Sequence, residues 1–418
     1  MQETIDSPPR GGANANLAAI LTFILTVVLV MAIIVLNAPT RGGPQVMREA
    51  STYLAEVWAT ALPYLAVVGI GVVALAALAA LTVRREWPNE ERRRALIAGY
   101  AFIAPYLIIT FTFTVGVILF ALYISFTRYD IFTRPIFLGI ENYTLAFEGF
   151  TNPSRRDFIQ SLHNVLWYSA IVVPTQTAAA IALAVLLNNK MRFQQFFRTV
   201  FYAPSVTSPV VITLIFVWFY LRTGYANFIF ENVLGIFGVE WQSINWLNDP
   251  RGLIQLILQP FGVDIPSEQW YLRGPSITWM ALMFQNIFTT APTFMIMFLA
   301  ALQDIDGSLY EASSIDGANG WQQFWRITLP LLRPIVLLVI VLGTIGTLQI
   351  FDQVYLATAG GPLGTTLTPV YQVFTEALGT AGPINMGYAS ALAFIVAVII
   401  FIFTFIQRRV IERGTEQY

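Results

Sequence analysis

Eight runs of about 20 apolar residues, none of them holding an Asp, Glu, Lys or Arg, constrain this chain more than any other feature. They are Leu17–Leu36, Leu62–Val83, Ala101–Ile124, Val165–Leu187, Val200–Leu221, Ile277–Leu302, Ile335–Phe351 and Ser390–Ile406. About 20 residues of helix, at 1.5 Å each, cross the roughly 30 Å of a bilayer's hydrocarbon core. Lipid offers no partner to a free backbone N–H or C=O, so each run is expected to span as a helix. The expectation is an all-α integral membrane protein with eight transmembrane helices. The first run is read as an uncleaved anchor, because its leader carries Glu3 and Asp6 and no small-x-small cleavage site follows it.

Composition narrows the chemistry. Only 11% of the residues are charged, against roughly 25% in soluble domains. There is no Cys, and His163 is the single histidine, so disulfides, thiol nucleophiles and His-rich metal sites are not expected. Lys190 is the only lysine and lies in Asn188-Asn189-Lys190-Met191, without the glycine-rich turn that a P-loop places before its Lys-Ser/Thr pair. No cofactor or metal is therefore expected in this chain, and no nucleic-acid partner.

Basic residues set the orientation, since they accumulate on the cytoplasmic side. With a cytoplasmic amino terminus and alternating loops, 14 of the 23 lie inside, among them Arg10, Arg84, Arg85, Arg92, Arg93, Arg94 and Arg198. Both termini are then cytoplasmic. The charged run 84–94 divides the chain. The expected organisation is a cytoplasmic tail (1–16), an accessory two-helix hairpin (17–83), the linker (84–94), a six-helix core (95–410) and a short tail (411–418). The hairpin's Ala and Gly residues suit close helix packing. The long outer loop 222–276 places Leu253, Ile254, Leu256, Ile257 and Leu258 near Trp241, Trp246 and Trp270. It is expected to carry a short helix at the membrane interface, either as an anchor or as part of a docking surface.

Polar residues within the spans are neutral. They include Gln176, Ser205, Thr207, Ser208, Gln285, Asn286, Thr289, Thr290, Thr293, Thr344, Thr347 and Gln349. Hydroxyl and amide groups give directional hydrogen bonds suited to a neutral polyol. They also serve as bonds between helices. Asn286, Thr289, Thr290 and Thr293 form one helical stripe interrupted by Pro292.

The segment 309–330 reads as two short helices hinged at Gly317–Gly320, the second with a face of Trp321, Phe324, Trp325 and Thr328. Glu311, Ala312, Asp316, Gly317, Ala318, Phe324, Ile327, Leu329 and Pro330 match, at the right spacing, the EAA pattern Glu-Ala-Ala-x-x-Asp-Gly-Ala, then Phe-x-x-Ile-x-Leu-Pro. Ser313 stands where that pattern has its second alanine. The chain from about residue 95 thus resembles the permeases of binding-protein-dependent ABC importers, in their carbohydrate branch. Leu138–Tyr143, Arg198 with Pro204, Gly224 with Asn227, and Gly360-Gly361-Pro362 add to the likeness.

The resemblance implies a type I importer core of six helices, with Glu311, Ala312, Asp316 and Gly317, in the coupling loop 304–331, contacting an ATPase. It implies as partners a second homologous permease, two ATPase subunits that bind the ATP and Mg, an extracytoplasmic sugar-binding protein and membrane lipid. The family's sugar-contacting positions fall on Ser205, Ser208, Asn286, Thr289, Thr290, Thr293, Thr347 and Gln349. A gradient-driven secondary sugar carrier is the alternative, although it calls for a midplane ion site and inverted repeats, and neither is seen. A membrane glycosyl-transfer enzyme would need paired carboxylates near the surface, for which Asp130, Glu141 and Asp352 are poorly placed.

Overall fold

The structure is a computed structural model that describes residues 90–189, 192–380 and 382–412, with isolated positions between 66 and 84. The expected first span, most of the second, much of the linker and the tail 413–418 lie outside the described residues. Four described helices are long and apolar enough to cross a membrane, and six if two bent pairs each count as one span. The chain divides into two compact units, Met1–Thr144 with Glu376–Ala391, and Leu145–Thr375 with Leu392–Tyr418.

In the first unit, α1 (Glu90–Ser125) covers the third expected span, with a π-helical turn at Phe111–Val115. Only 17% of its apolar window is buried, and Phe102 and Phe113 point outward. A two-residue hairpin, β1 (Thr127–Arg128) against β2 (Ile136–Phe137), follows it. Asn142 ties that turn down by donating to the carbonyls of Ser125 (2.9 Å) and Thr127 (2.8 Å).

In the second unit, α3 (Asp157–Asn188) packs along α8 (Ile277–Gln303), following the short helix α2 (Glu141–Phe147), which straddles the unit boundary. Trp279 is wholly buried, its ring 4.6 Å from that of Tyr168, and its Nε1 donates to the Asn164 carbonyl at 2.8 Å. That bond satisfies the indole N–H, which is what lets so large a ring sit in the core. Ala180, Ala184 and Leu187 of α3 meet Met295, Phe298 and Leu302 of α8 and Val339 at the centre of a second apolar cluster.

The fifth run departs from expectation. Val200–Leu221 is not one continuous helix but falls on two, α4 (Gln194–Val206) and α5 (Pro209–Phe219), which meet at 96°. Proline disfavours helical backbone in the residue before it. Accordingly, Thr207 (ψ 142°) and Ser208 (ψ 133°) are extended ahead of Pro209. Segment 222–276 has more structure than its sequence suggested. The helix α6 (Tyr225–Ile236) was not anticipated, whereas α7 (Leu253–Leu258) lies where a short helix was expected. Asn227 organises this segment: its amide donates to the carbonyls of Arg222 and Ile244 and accepts from the indoles of Trp241 and Trp246.

The seventh run is also reshaped. After α9 (Gly307–Ile315), helix α10 (Gly320–Leu331) joins α11 (Arg333–Leu348) at 67°, beside Pro330 and Pro334. α11 stops at Leu348, three residues short of the expected end, and α12 (Asp352–Ala357) begins after that break. The helices α13 (Pro369–Leu378) and α14 (Met386–Glu412) complete the order, and α14 contains the last expected span.

Candidate functional site

The irregular backbone within the second unit converges on one cavity of about 340 Å³, within the range typical of small-molecule sites. The α4–α5 break contributes Ser205, Thr207 and Thr213. The stripe on α8 supplies Asn286, Thr289, Thr290 and Thr293, and the end of α11 supplies Gly346 and Gln349. Non-helical backbone at membrane depth is tolerated where it faces protein or lines a cavity, and both breaks border this one. Among the described residues, Asp352 is the single ionisable one in the lining.

The cavity hydroxyls are oriented from behind. Thr289 donates to the carbonyls of Gln285 (3.1 Å) and Asn286 (3.0 Å), and Ser205 donates to that of Tyr202 at 2.7 Å. Their lone pairs are left for a ligand. Two glutamines, each 1% exposed, stand in a second layer. Gln176 accepts from the Thr290 hydroxyl at 2.7 Å, and Gln285 donates to that of Thr213 at 2.8 Å. Gly343 makes room for the first of these, since a Cβ there would lie 2.4 Å from Gln176 Nε2.

The loop 304–331 forms a separate feature. Asp306 caps α9 by accepting from the Ser308 N–H at 2.9 Å, and that bond holds its carboxyl below the usual range. At the other end, Gly317 (φ +80°) lets the chain wrap back, with its N–H on the Ser314 carbonyl (3.1 Å) and that of Ala318 on Ser313 (2.9 Å). This is a Schellman ending, which glycine adopts without strain. Asn319 and Gln322 then start α10 with a reciprocal capping box. Glu311, Ala312 and Asp316 are exposed on α9. Ile315 (87%), Trp321 (69%) and Trp325 (50%) also stand open. A short helix with exposed carboxylates beside bare aromatic rings has the character of a docking surface.

Residues 176–415 match the family described as the binding-protein-dependent transport system inner membrane component. The chain belongs to this family. Among its relatives, the probable ABC transporter permease protein YesP of Bacillus subtilis is 34% identical over 316 residues, 75% of this chain and 90% of that one. The lactose transport system permease protein LacF of Rhizobium radiobacter is 31% identical, covering 74% of this chain and 93% of its own length. The trehalose/maltose transport system permease protein MalF of Thermococcus litoralis is 27% identical, over 75% and 92%. A chain from a bacterial ABC transporter that imports the acidic polysaccharide alginate superimposes with a TM-score of 0.60 at 22% identity, covering 79% of this chain and 99% of that one. The protein is thus a helical membrane permease with the fold of an ABC importer chain.

Within this permease, Ser205, Asn286, Thr289, Thr290, Thr293 and Gln349 meet in the cavity. Ser208 and Thr347 do not line it. Ser208 is exposed at the head of α5. Thr347 is 2% exposed, and its hydroxyl lies 3.0 Å from both Ser169 Oγ and the Thr344 carbonyl, so it joins helices. Thr213, Gly346, Asp352 and Gln353 line the cavity without having been singled out for it from the sequence. Thr213 lies within an apolar run, and Asp352 lies one residue beyond the expected end of a span. Thr328, placed by its spacing on one helical face with Trp321, Phe324 and Trp325, is 6% exposed and bonded to the Tyr310 hydroxyl at 2.9 Å.

Proposed function

We propose that this permease is the membrane-spanning subunit of an ATP-driven importer and forms the path for a mono-, di- or oligosaccharide delivered by an extracytoplasmic binding protein. The observation that carries this reading is the cavity lined by hydroxyls and amides at the breaks of α4–α5 and α11. Such groups match the alternating donors and acceptors of a sugar. Among the described residues the lining holds no Arg, Lys or His, the groups that usually recognise phosphate or carboxylate. The names of LacF and MalF support a sugar cargo.

In this reading Glu311, Ala312, Asp316 and Gly317 dock α9 against an ATPase subunit, and two such subunits bind the ATP and Mg. A second homologous permease completes the path, and both termini are cytoplasmic. The hairpin 17–83 serves packing. A solved alginate transporter in complex with a ligand-bound periplasmic protein, similar in fold at a TM-score of 0.60, supports a binding-protein partner. Affinity purification of the tagged chain from its native membrane tests the proposal. Recovery of an ATP-binding cassette subunit and a second permease is expected, and recovery of the chain alone, in intact membranes mildly solubilised, overturns it.

A further inference from the structure

Helices α9 and α10 are separated by a cleft of about 360 Å³ bordered by Ser313, Asp316, Gly317, Gln323 and Arg326, among others. Hydrogen bonds cross between the two helices. The Gln323 amide nitrogen donates to Ser313 Oγ at 3.0 Å and Ser314 Oγ at 2.9 Å, with the Tyr310 carbonyl at 3.3 Å. Both serine hydroxyls spend their own hydrogens on the Tyr310 carbonyl, at 2.9 and 2.7 Å. Their lone pairs then face the two amide hydrogens, one each, so every donor in the network has an acceptor. A second tie, Tyr310 hydroxyl to Thr328 Oγ1, lies farther along.

We propose that Gln323 is a positioning residue: a strut that makes α9 and α10 move as one body and so transmits displacement of α9 to the cavity. The route is short. α10 continues across the 67° bend into α11, whose far end carries Gly346 and Gln349 to the cavity wall. The same strut explains the departure at Ser313. A Gln at 323 needs an acceptor where the EAA pattern offers an alanine methyl, and Ser313 and Ser314 supply it. The role in transport rests on the reading of α9 as the ATPase-docking element, whereas the rigidity of the pair does not.

Because the chain contains no cysteine, nitroxide labels on introduced Ile315→Cys and Leu331→Cys report that rigidity in the purified chain in lipid nanodiscs. Gln323→Leu is expected to broaden the label distance distribution about twofold, and to lower sugar moved per ATP in the assembled complex about threefold. Ser313→Ala with Ser314→Ala should do the same, because the amide nitrogen keeps only its longest contact, the Tyr310 carbonyl at 3.3 Å. Combining all three changes replaces the polar tie by an apolar one and should restore both readouts. A distribution of unchanged width in Gln323→Leu overturns the strut. A triple variant as broad as Gln323→Leu also overturns it. Labels broadened in Gln323→Leu, with normal binding of the ATPase and unchanged coupling, overturn the transmission role alone. Failure of the chain to bind any ATPase counts against the docking reading and leaves the label result to decide the strut.

Discussion

Substitution at Gly317 separates backbone strain from surface shape as the reason for a glycine at the end of α9. Its φ of +80° is the left-handed region, where an L side chain costs about 1–2 kcal/mol. An added Cβ would meet no atom within 4 Å, so inside this chain Gly317→Ala incurs that strain and nothing more. Asn tolerates the left-handed region better than most residues, and a β-branched side chain tolerates it worst. The expected order of damage is therefore Asn, then Ala, then Val. A penalty of 1–2 kcal/mol lowers the ratio of wrapped to open helix ends by about five- to thirtyfold. Hydrogen exchange at the Ala318 N–H, which is bonded to the Ser313 carbonyl, reads that ratio directly. ATP turnover stimulated by the assembled complex reads its consequence. Protection and coupling falling together in that order support the account. Full coupling in Gly317→Val refutes it. Equal loss in all three variants with protection unchanged refutes it as well, because the defect then lies in shape against a partner.

Asn286→Ala and Gln349→Ala should each weaken transport by about 0.5–1.5 kcal/mol, the worth of one hydrogen bond, seen as a KM raised roughly 2- to 13-fold with the complex assembled. Thr347→Val should instead lower the melting temperature of the solubilised protein while leaving KM unchanged, because that hydroxyl joins helices and does not line the cavity. Asp249 provides a pH test outside the spans. Burial works to raise its pKa, but hydrogen bonds from the Arg251 side chain and backbone, together with the Arg251 charge, prevail and hold it below the usual carboxylate value. A lowered folded-state pKa contributes stability above the ordinary carboxylate value, about pH 4. That stability is lost as pH falls through the lowered one. Exchange protection around 246–258 should therefore drop only in that acid window, by under about 1 kcal/mol since the Arg251 side chain is 52% exposed. Asp249→Asn should remove the pH dependence.

Much of this arrangement was legible because the physics is local. Charge-free runs of span length marked α1, α3, α8 and α14, and glycine marked the hinge between α9 and α10. The stripe from Asn286 to Thr293 was readable because one continuous helix, Ile277–Gln303, carries it and keeps its period. The broken elements were not. Val200–Leu221 has the hydropathy of one span, and only Pro209, by disfavouring helical backbone at Ser208, hints at a 96° bend. Thr347 and Thr344 have the same residue type and neighbourhood as the cavity threonines, so their burial is decided by which face of α11 packs, a tertiary fact. The Asn227 hub draws Trp241 and Trp246 from 14 and 19 residues away, a distance over which no sequence period operates.

Energy coupling is tested most directly in proteoliposomes containing the complex purified with this chain and its binding protein, with ATP enclosed and no ion gradient imposed. Uptake of radiolabelled disaccharides, with lactose, maltose and trehalose as the probes, is followed with and without ATP and with a protonophore. The account predicts uptake that requires both enclosed ATP and the binding protein and is indifferent to the protonophore. Uptake that proceeds without ATP and collapses with the gradient would contradict it.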